Sequence, residues 1–347
     1  MKRVAIIGGG LAGAACAYVL KQAGAEPVIY EAGEELAAGA SGNPIGLYNP
    51  RLSAHRTPES DFYCAAFSQA LRTFQELEDI EWNACGALHL ITDEKRQKQL
   101  AQTIETWSWP DEEMRLLNAA QASDIAGVDL QHDALYLPQS GYVSPKKLCE
   151  RYAQGIEVRL NAKIESVSDV DADAVILACG MGVKKFEEAR DLPLFPVRGQ
   201  VTFAKPSEES QKLRCALCYS GYILPEKEGV HKIGSTFQQG VEHSKIHDED
   251  DRENIEALAQ IAPGVAKELE VSGRWASVRV TSKDHFPVIG RAHDCKDVYV
   301  STAHSAHGAV GSIAAAHLIA DMILGRPLSL GKDVVRKLKP ARFMGPV

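Results

Sequence analysis

The fold class predicted by this sequence is α/β, with a doubly wound parallel sheet joined to a second lobe of mainly antiparallel sheet flanked by helices. Three observations predict it. A short apolar, β-branched run passes through glycines into an Ala-rich helix in "VAIIGGGLAGAACAYVL" (residues 4–20). The same style returns at "DADAVILACG" (171–180) and at "DVYVSTAHSAHGAVGSIAAAHLIADMIL" (297–324). Between 195 and 287 the pattern changes to successive strands, "FPVRGQVTFA", "SGYILPE", "VHKIGSTF" and "GRWASVRVTS", with one helix at about 249–261. Apolar runs without alternation suit strands buried on both faces of a parallel sheet.

In the first segment Gly8, Gly10 and Gly13 form G-x-G-x-x-G. One glycine makes the strand-to-helix turn, one lets backbone approach a pyrophosphate, and one lets helix pack on strand. Leu11 and Ala12 open the helix, whose free N–H groups face the phosphates. The helix covers 11–23, Gly24 ends it, and "PVIYE" supplies a second strand finishing in Glu31, eighteen residues past Gly13. A carboxylate there meets the adenosine ribose hydroxyls of a bound dinucleotide. With no basic residue beside it, Glu31 repels a 2′-phosphate.

"AGASGNPIGLYNPRLS" (38–53) is a Gly, Ser, Asn and Pro loop too biased toward special backbone angles for a simple connection, and reads as a ligand-binding loop. Residues 61–80 read as an amphipathic helix, "GALHLIT" as a strand, 94–107 as another helix, and 174–178 as a further strand of the first sheet. The first lobe is therefore expected to be discontinuous, from 1–50, 138–190 and 288–347, around a substrate lobe of 51–137 and 191–287.

At 347 residues the chain can bury a sizeable core, and its 45% hydrophobic and 24% charged residues exclude a disordered or fibrous chain. No uninterrupted apolar run reaches about 18 residues, and a strand starting at Arg3 leaves no room for a cleavable signal. The expected location is cytoplasmic, away from membranes. Eight scattered cysteines, mostly in apolar segments, fit a reducing compartment, and the lone C-x-x-C of Cys215 and Cys218 lacks the second pair a zinc site needs. No metal is expected. The net charge of −8 argues against general nucleic-acid binding by the whole surface. Residues 326–342, "RPLSLGKDVVRKLKPAR", nevertheless hold six Lys or Arg against one Asp, a local basic surface or a solvated end, while "VEHSKIHDEDDREN" (241–254) is acidic.

The fingerprint, Glu31, "ILACG", "GYILPEKEGVHKIGSTF", "VRVTSKDHFPVIGR" and the final "HSAHGAVG" occur in the order used by the glycine and D-amino-acid oxidase family of FAD enzymes, which the chain resembles over essentially its whole length. "GASGNPIGLYNP", "GYVSPKKLCERYA" and "FPVRGQV" look most like the oxidase domain of bifunctional tRNA-modifying enzymes. That resemblance implies oxidation of a 5-carboxymethylaminomethyl group on a wobble uridine to the 5-aminomethyl nucleoside and glyoxylate. It also implies a stand-alone oxidase half, a separate methyltransferase acting on the product, and oxygen as electron acceptor. Two departures are visible. Ala306-His307-Gly308 stands where the tRNA enzymes tend to carry an arginine, as in sarcosine-oxidase loops. Val278-Arg279 and Leu11 stand near the positions where flavinylated relatives place Cys or His, so the FAD is expected to be noncovalent.

A flavin performs the redox step, so the protein must hold it, orient an amine carbon, and keep the amine unprotonated. A glycine-like substrate needs a cation for its carboxylate, and a guanidinium grips both oxygens. Arg279, flanked by β-branched residues in "SVRVTSKD", is the first candidate and matches the family's carboxylate-binding arginine; Arg198 in "FPVRGQV" is the second. Tyr222 matches a cavity-lining family tyrosine, and His307, with His304, precedes the last helix near the flavin. Ser41, Gly42 and Asn43 are expected on the flavin or its phosphates, with Ala178, Gly180, Gly308 and Gly311 completing the cofactor contacts. Lys283 and Asp284 have no assigned role. Three functions remain open: the tRNA oxidase, a small-molecule amine oxidase acting on glycine, sarcosine or a D-amino acid, and a flavin-binding subunit without turnover.

Overall fold

The computed structural model describes residues 1–344. One sheet has six strands in the order β16 (Val288–Arg291), β17 (Val298–Thr302), β9 (Ala174–Leu177), β1 (Arg3–Ile7), β2 (Glu26–Tyr30) and β8 (Glu157–Arg159). All neighbours are parallel except β16, which joins β17 antiparallel at the edge. Helices α1 (Leu11–Gln22) and α8 (Gly308–Leu324) cover Val4, Ile6, Ile29 and Ile176 on one face. Phe186, Leu192 and Leu194 help cover Ala5, Ile7, Val175 and Leu177 on the other. Two covered faces account for an apolar run with no alternation. With its preceding turn α8 is long and apolar enough to cross a membrane, yet eleven of its 17 residues are buried in this core.

The second sheet runs β5 (Arg115–Leu117), β6 (Ala134–Leu137), β4 (Ala87–Leu90), β11 (Ala216–Cys218), β12 (Tyr222–Ile223), β13 (His231–Gly234), β10 (Leu194–Lys205) and β14 (Gln238–Gln239), with β15 (Glu270–Ser282) also paired to β10. Its ladders are antiparallel apart from β4 against β11. Helices α3 (Glu94–Trp107), α4 (Ala119–Ala126), α6 (Asp248–Ile261) and α7 (Pro263–Ala266) contribute to its cores. A small ribbon of β3 (Gly46–Tyr48) and β7 (Gly141–Val143) precedes α5 (Pro145–Tyr152), which packs on α1.

The β10–β15 register organises the site. Val197 opposes Arg279, Arg198 opposes Val278, Gly199 opposes Ser277 and Val201 opposes Trp275. Cross-strand partners share a face and neighbours along a strand alternate. Gly199, Val201, Trp275, Ser277 and Arg279 therefore lie on one face. Arg198, Gln200 and Thr202 lie on the other, where Asp250, Asp251 and Asn254 of α6 meet them.

One helix departs from expectation. The helix read at 61–80 is α2 (Pro58–Glu76), begun earlier by a Thr57–Ser60 capping box with Pro58 in its first turn. Expected with the substrate lobe, it instead packs Phe62, Tyr63, Ala66 and Phe74 into the core of α1 and α8. The basic segment 326–342 is likewise folded onto the protein. Its helix α9 (Lys332–Leu338) buries Val334, Val335 and Leu338 against α2 and β16.

Candidate active site

β1 ends against β9, and the chain turns through the glycines into α1. Gly8 has φ +112°, and a Cβ there would lie 2.7 Å from the Ala178 carbonyl oxygen. A Cβ on Gly13 would overlap the carbonyl of Gly8. Both glycines are demanded by packing. Gly10 caps α1 with extended backbone and no side-chain hydrogen bond, and the Leu11 N–H donates to Ser41 Oγ at 3.0 Å. The helix end thus keeps donors for an anion. At the end of β2, Glu31 accepts from the Gly9 N–H at 2.7 Å and the Gly33 N–H at 2.8 Å, which fixes its carboxylate beside the turn.

A cavity of about 1030 Å³ opens at these strand ends. Gly8, Gly10, Leu11, Ala12, Glu31, Ser41, Asn43, Ala178, Gly180 and Gly308 line it together with Tyr222, Arg279 and His307. Gly13, Gly42 and Gly311 stand behind this wall. A Cβ on Gly42 would lie 2.8 Å from the Ala37 carbonyl oxygen, and one on Gly311 would lie 3.2 Å from His304 Nδ1. A glycine turn leading to a helix end, a carboxylate held beside that turn, and one continuous cavity fit an FAD molecule. Gly8, Gly10, Leu11, Ala12 and Glu31 would hold its adenylate and pyrophosphate, and Ser41, Asn43, Gly180 and Gly308 its flavin half.

Arg279 is the chemical centre of the remaining space. Its Nη1 donates to Ser235 Oγ at 3.3 Å and its Nη2 to the Thr236 carbonyl at 3.2 Å, but its Nε is buried without a partner. No carboxylate among the described residues pairs with it, unlike the buried arginine at 198. Burial lowers its pKa, and Tyr222 opposes that shift. A half-buried guanidinium with only neutral partners is suited to bind an anion. Burial pushes the Tyr222 phenol up to about 12, against the opposing pull of Arg279. It is a neutral donor beside the cation. His307 is driven down to about 3 by burial and by Arg51 and Arg279, and His304 down to about 4 by burial. Both are neutral at physiological pH. His304 Nε2 lies 3.1 Å from Ser301 Oγ, and the His307 ring packs 4.9 Å from the Tyr63 ring.

The second cationic candidate must be corrected. Arg198 does not line the cavity: it is fully buried on the opposite face of β10, paired with Asp250 at 2.6 Å and with Gln238 Oε1 at 2.9 Å. Strand alternation, invisible without the register, puts it there. Asp284 is also structural, held by Arg342 at 2.8 Å. Sequence reading missed Trp275, Ser277, Ser235 and Phe237 as cavity residues. Counting by twos along β15 from Arg279 would have found Ser277 and Trp275.

The sequence profile of the family described as "FAD dependent oxidoreductase" (DAO) matches residues 3–322. The chain is 31% identical to the tRNA 5-methylaminomethyl-2-thiouridine biosynthesis bifunctional protein MnmC of Chromobacterium violaceum, over 98% of this chain and 59% of that protein. It is also 31% identical to the protein of that name from Idiomarina loihiensis, over 99% and 59%. The chain thus spans about three fifths of the length of these relatives. Among solved structures, glycine oxidase from Bacillus cereus superposes with a TM-score of 0.81 at 22% identity, covering 95% of this chain and 99% of that one. Glycine oxidase from Geobacillus kaustophilus gives 0.82 at 20% identity, covering 99% and 100%. With the fingerprint, the Glu31 carboxylate and the cavity in one continuous arrangement, this chain belongs to the FAD dependent oxidoreductase family.

Proposed function

We propose that the protein oxidises a C–N bond of a glycine-like secondary amine, R–CH2–NH–CH2–COO⁻, with R the uracil ring of a tRNA wobble nucleoside. The observation that carries the amine and carboxylate is Arg279, a half-buried cation on the cavity side of β15 that no carboxylate among the described residues pairs with and whose Nε has no partner. The names of the relatives in Chromobacterium violaceum and Idiomarina loihiensis support the tRNA substrate.

Arg279 and the Tyr222 hydroxyl bind the carboxylate, which fixes the adjacent methylene. The bound flavin supplies a two-electron acceptor for the hydride leaving that methylene. His307 and His304, both neutral, add no positive charge around the amine, while the apolar wall of Trp275 and Val280 favours its uncharged form. Loss of hydride and of the amine proton leaves a C=N bond. Water adds to it and releases R–CH2–NH3⁺ and glyoxylate.

The test is incubation of the holoprotein with tRNA from cells lacking this activity, reading nucleosides and glyoxylate by mass spectrometry. Appearance of the 5-aminomethyl nucleoside with glyoxylate supports the reading. Reduction by glycine or sarcosine with unchanged tRNA transfers it to a small-molecule amine oxidase, which the same Arg279 would serve.

A further inference from the structure

Beside Arg279 the cavity is bordered by an aromatic ring that the guanidinium covers on one side and that is otherwise half exposed. Phe237 lines the cavity, its ring centroid lies 5.5 Å from the Arg279 guanidinium carbon, and 51% of the residue is exposed. The exposed phenyl thus places apolar surface directly beside a half-buried cation.

The segment carrying Phe237 is pinned from beneath. Gln238 Oε1 accepts from Arg198 Nη1 at 2.9 Å, and its Nε2 donates to Asp250 Oδ1 at 2.9 Å. Arg198 Nε donates to the Lys245 carbonyl at 3.0 Å, and Gln200 Nε2 to the His247 carbonyl at 2.8 Å. The Arg198–Asp250 pair is fully buried, with side-chain exposures of 0% and 2%. Buried ion pairs are poor sources of stability relative to apolar packing, and their best-attested use is to fix one arrangement. Here the arrangement fixed is that of the chain from Gln238 to His247, directly after Phe237.

We propose that Phe237 is the floor of an aromatic subsite on which a planar ring attached to the substrate amine stacks, and that Arg198 is a positioning residue for it. The identity of that ring as uracil rests on the function proposed above; the subsite itself does not. In –OOC–CH2–NH–CH2–ring the carboxylate carbon and the ring are four bonds apart, about 5 Å when extended. With the guanidinium and the Phe237 ring adjacent, 5.5 Å apart, a ligand of that length held by its carboxylate reaches the exposed part of the phenyl. The methyl group of sarcosine stops short of it.

The experiment compares N-benzylglycine, sarcosine and free 5-carboxymethylaminomethyluridine as reductants of the holoprotein, with affinity read in parallel from the perturbation of flavin absorbance, which needs no turnover. The variants are Phe237→Ala, Phe237→Trp and Gln238→Ala. Phe237→Ala is expected to weaken the benzyl amine and the nucleoside roughly ten-fold or more relative to sarcosine, the scale of base–aromatic stacking. Phe237→Trp restores the preference, and Gln238→Ala erodes it while sarcosine stays unchanged. Equal losses for all three ligands, or equal wild-type affinity for the benzyl and methyl amines, overturn the subsite. A benzyl preference lost in Phe237→Ala together with a nucleoside that never binds keeps the subsite and removes the wobble-uridine reading. A nucleoside oxidised equally by wild type and Phe237→Ala does the reverse.

Discussion

Gly199 on β10 lies against the guanidinium of Arg279 on β15, so closely that a Cβ at position 199 would overlap Nη2 and stand 2.8 Å from the Thr236 carbonyl oxygen. The absence of a side chain there is what lets a full-length arginine lie flat along the sheet with its Nε unpartnered. Gly199→Ala should therefore displace Arg279. Overpacking of this kind costs about 1–3 kcal/mol, and substrate affinity should fall while FAD stays bound. Wild-type substrate affinity in the folded variant would show that Arg279 does not need this seat.

Arg279→Met keeps much of the volume and removes the charge. Truncating one side of a buried charge pair costs about 2–5 kcal/mol, so kcat/KM for the amine should fall roughly thirty-fold or more. Flavin content should be unchanged. Rapid-reaction reduction at the wild-type rate would remove Arg279 from the substrate site.

The two arginines also mark how far a sequence can be read. The glycine fingerprint was legible because its constraints are local: Gly8 needs φ +112° and Gly13 needs room over Gly8, whatever the rest of the chain does. Arg279 was legible because a cation among β-branched residues on a strand is costly without a partner. Arg198 has the same local setting and the opposite fate. Which face each arginine takes is set by the pairing of Val197 with Arg279, a non-local register that a one-residue slip would invert. The fate of α2 was hidden for a similar reason. Its apolar stripe announces a helix, and only the packed structure says that the stripe meets α8.

Glu31→Ala should weaken FAD binding, because the carboxylate lines the cavity and orders the turn through the Gly9 and Gly33 N–H groups. Charge-assisted hydrogen bonds contribute about 1.5–3 kcal/mol, so the dissociation constant should rise ten-fold or more. Titration of the apoprotein with FAD measures it. An unchanged constant takes Glu31 out of the cofactor site.

Stability should depend on acid through the half-buried histidines His304 and His307. His307 and His304 have folded pKa values of about 3 and 4, below the unfolded value near 6.5. The unfolded chain then binds protons that the folded one refuses, so their contribution is intact above about pH 6.5 and is lost as pH falls toward 4. Each of these histidines steepens the loss by at most about 1.4 kcal/mol per pH unit in that window. His307→Asn should flatten the fall of holoprotein stability between pH 6.5 and 4.5. A slope identical to wild type would mean that His307 is protonated in the folded protein.

The cations of the basic segment 326–342 differ in what they can reach. Arg342 is sequestered: its guanidinium pairs with Asp284 and donates to the Phe286 carbonyl at 2.8 Å. Lys337 approaches Glu59 at 3.4 Å and Arg336 approaches Asp333 at 3.2 Å, but both pairs are exposed and leave their charges to solvent. If the substrate is a tRNA, the solvent-facing cations Lys332, Arg336, Lys337 and Lys339 can meet phosphates while Arg342 cannot. Arg342→Ala should then lower thermal stability by loosening the turn at Asp284, with tRNA affinity retained. Converting Arg336, Lys337 and Lys339 to Gln should instead weaken tRNA binding and reduce the slope of log K against log salt by about 0.9 for each phosphate no longer neutralised, the duplex value. Such cations position the RNA without reading its sequence, so the weakening should be uniform across tRNAs. Oxidation of the free nucleoside, which has no phosphates, should be untouched by the triple change. Wild-type affinity and salt slope in the triple variant would place the RNA surface elsewhere on the molecule.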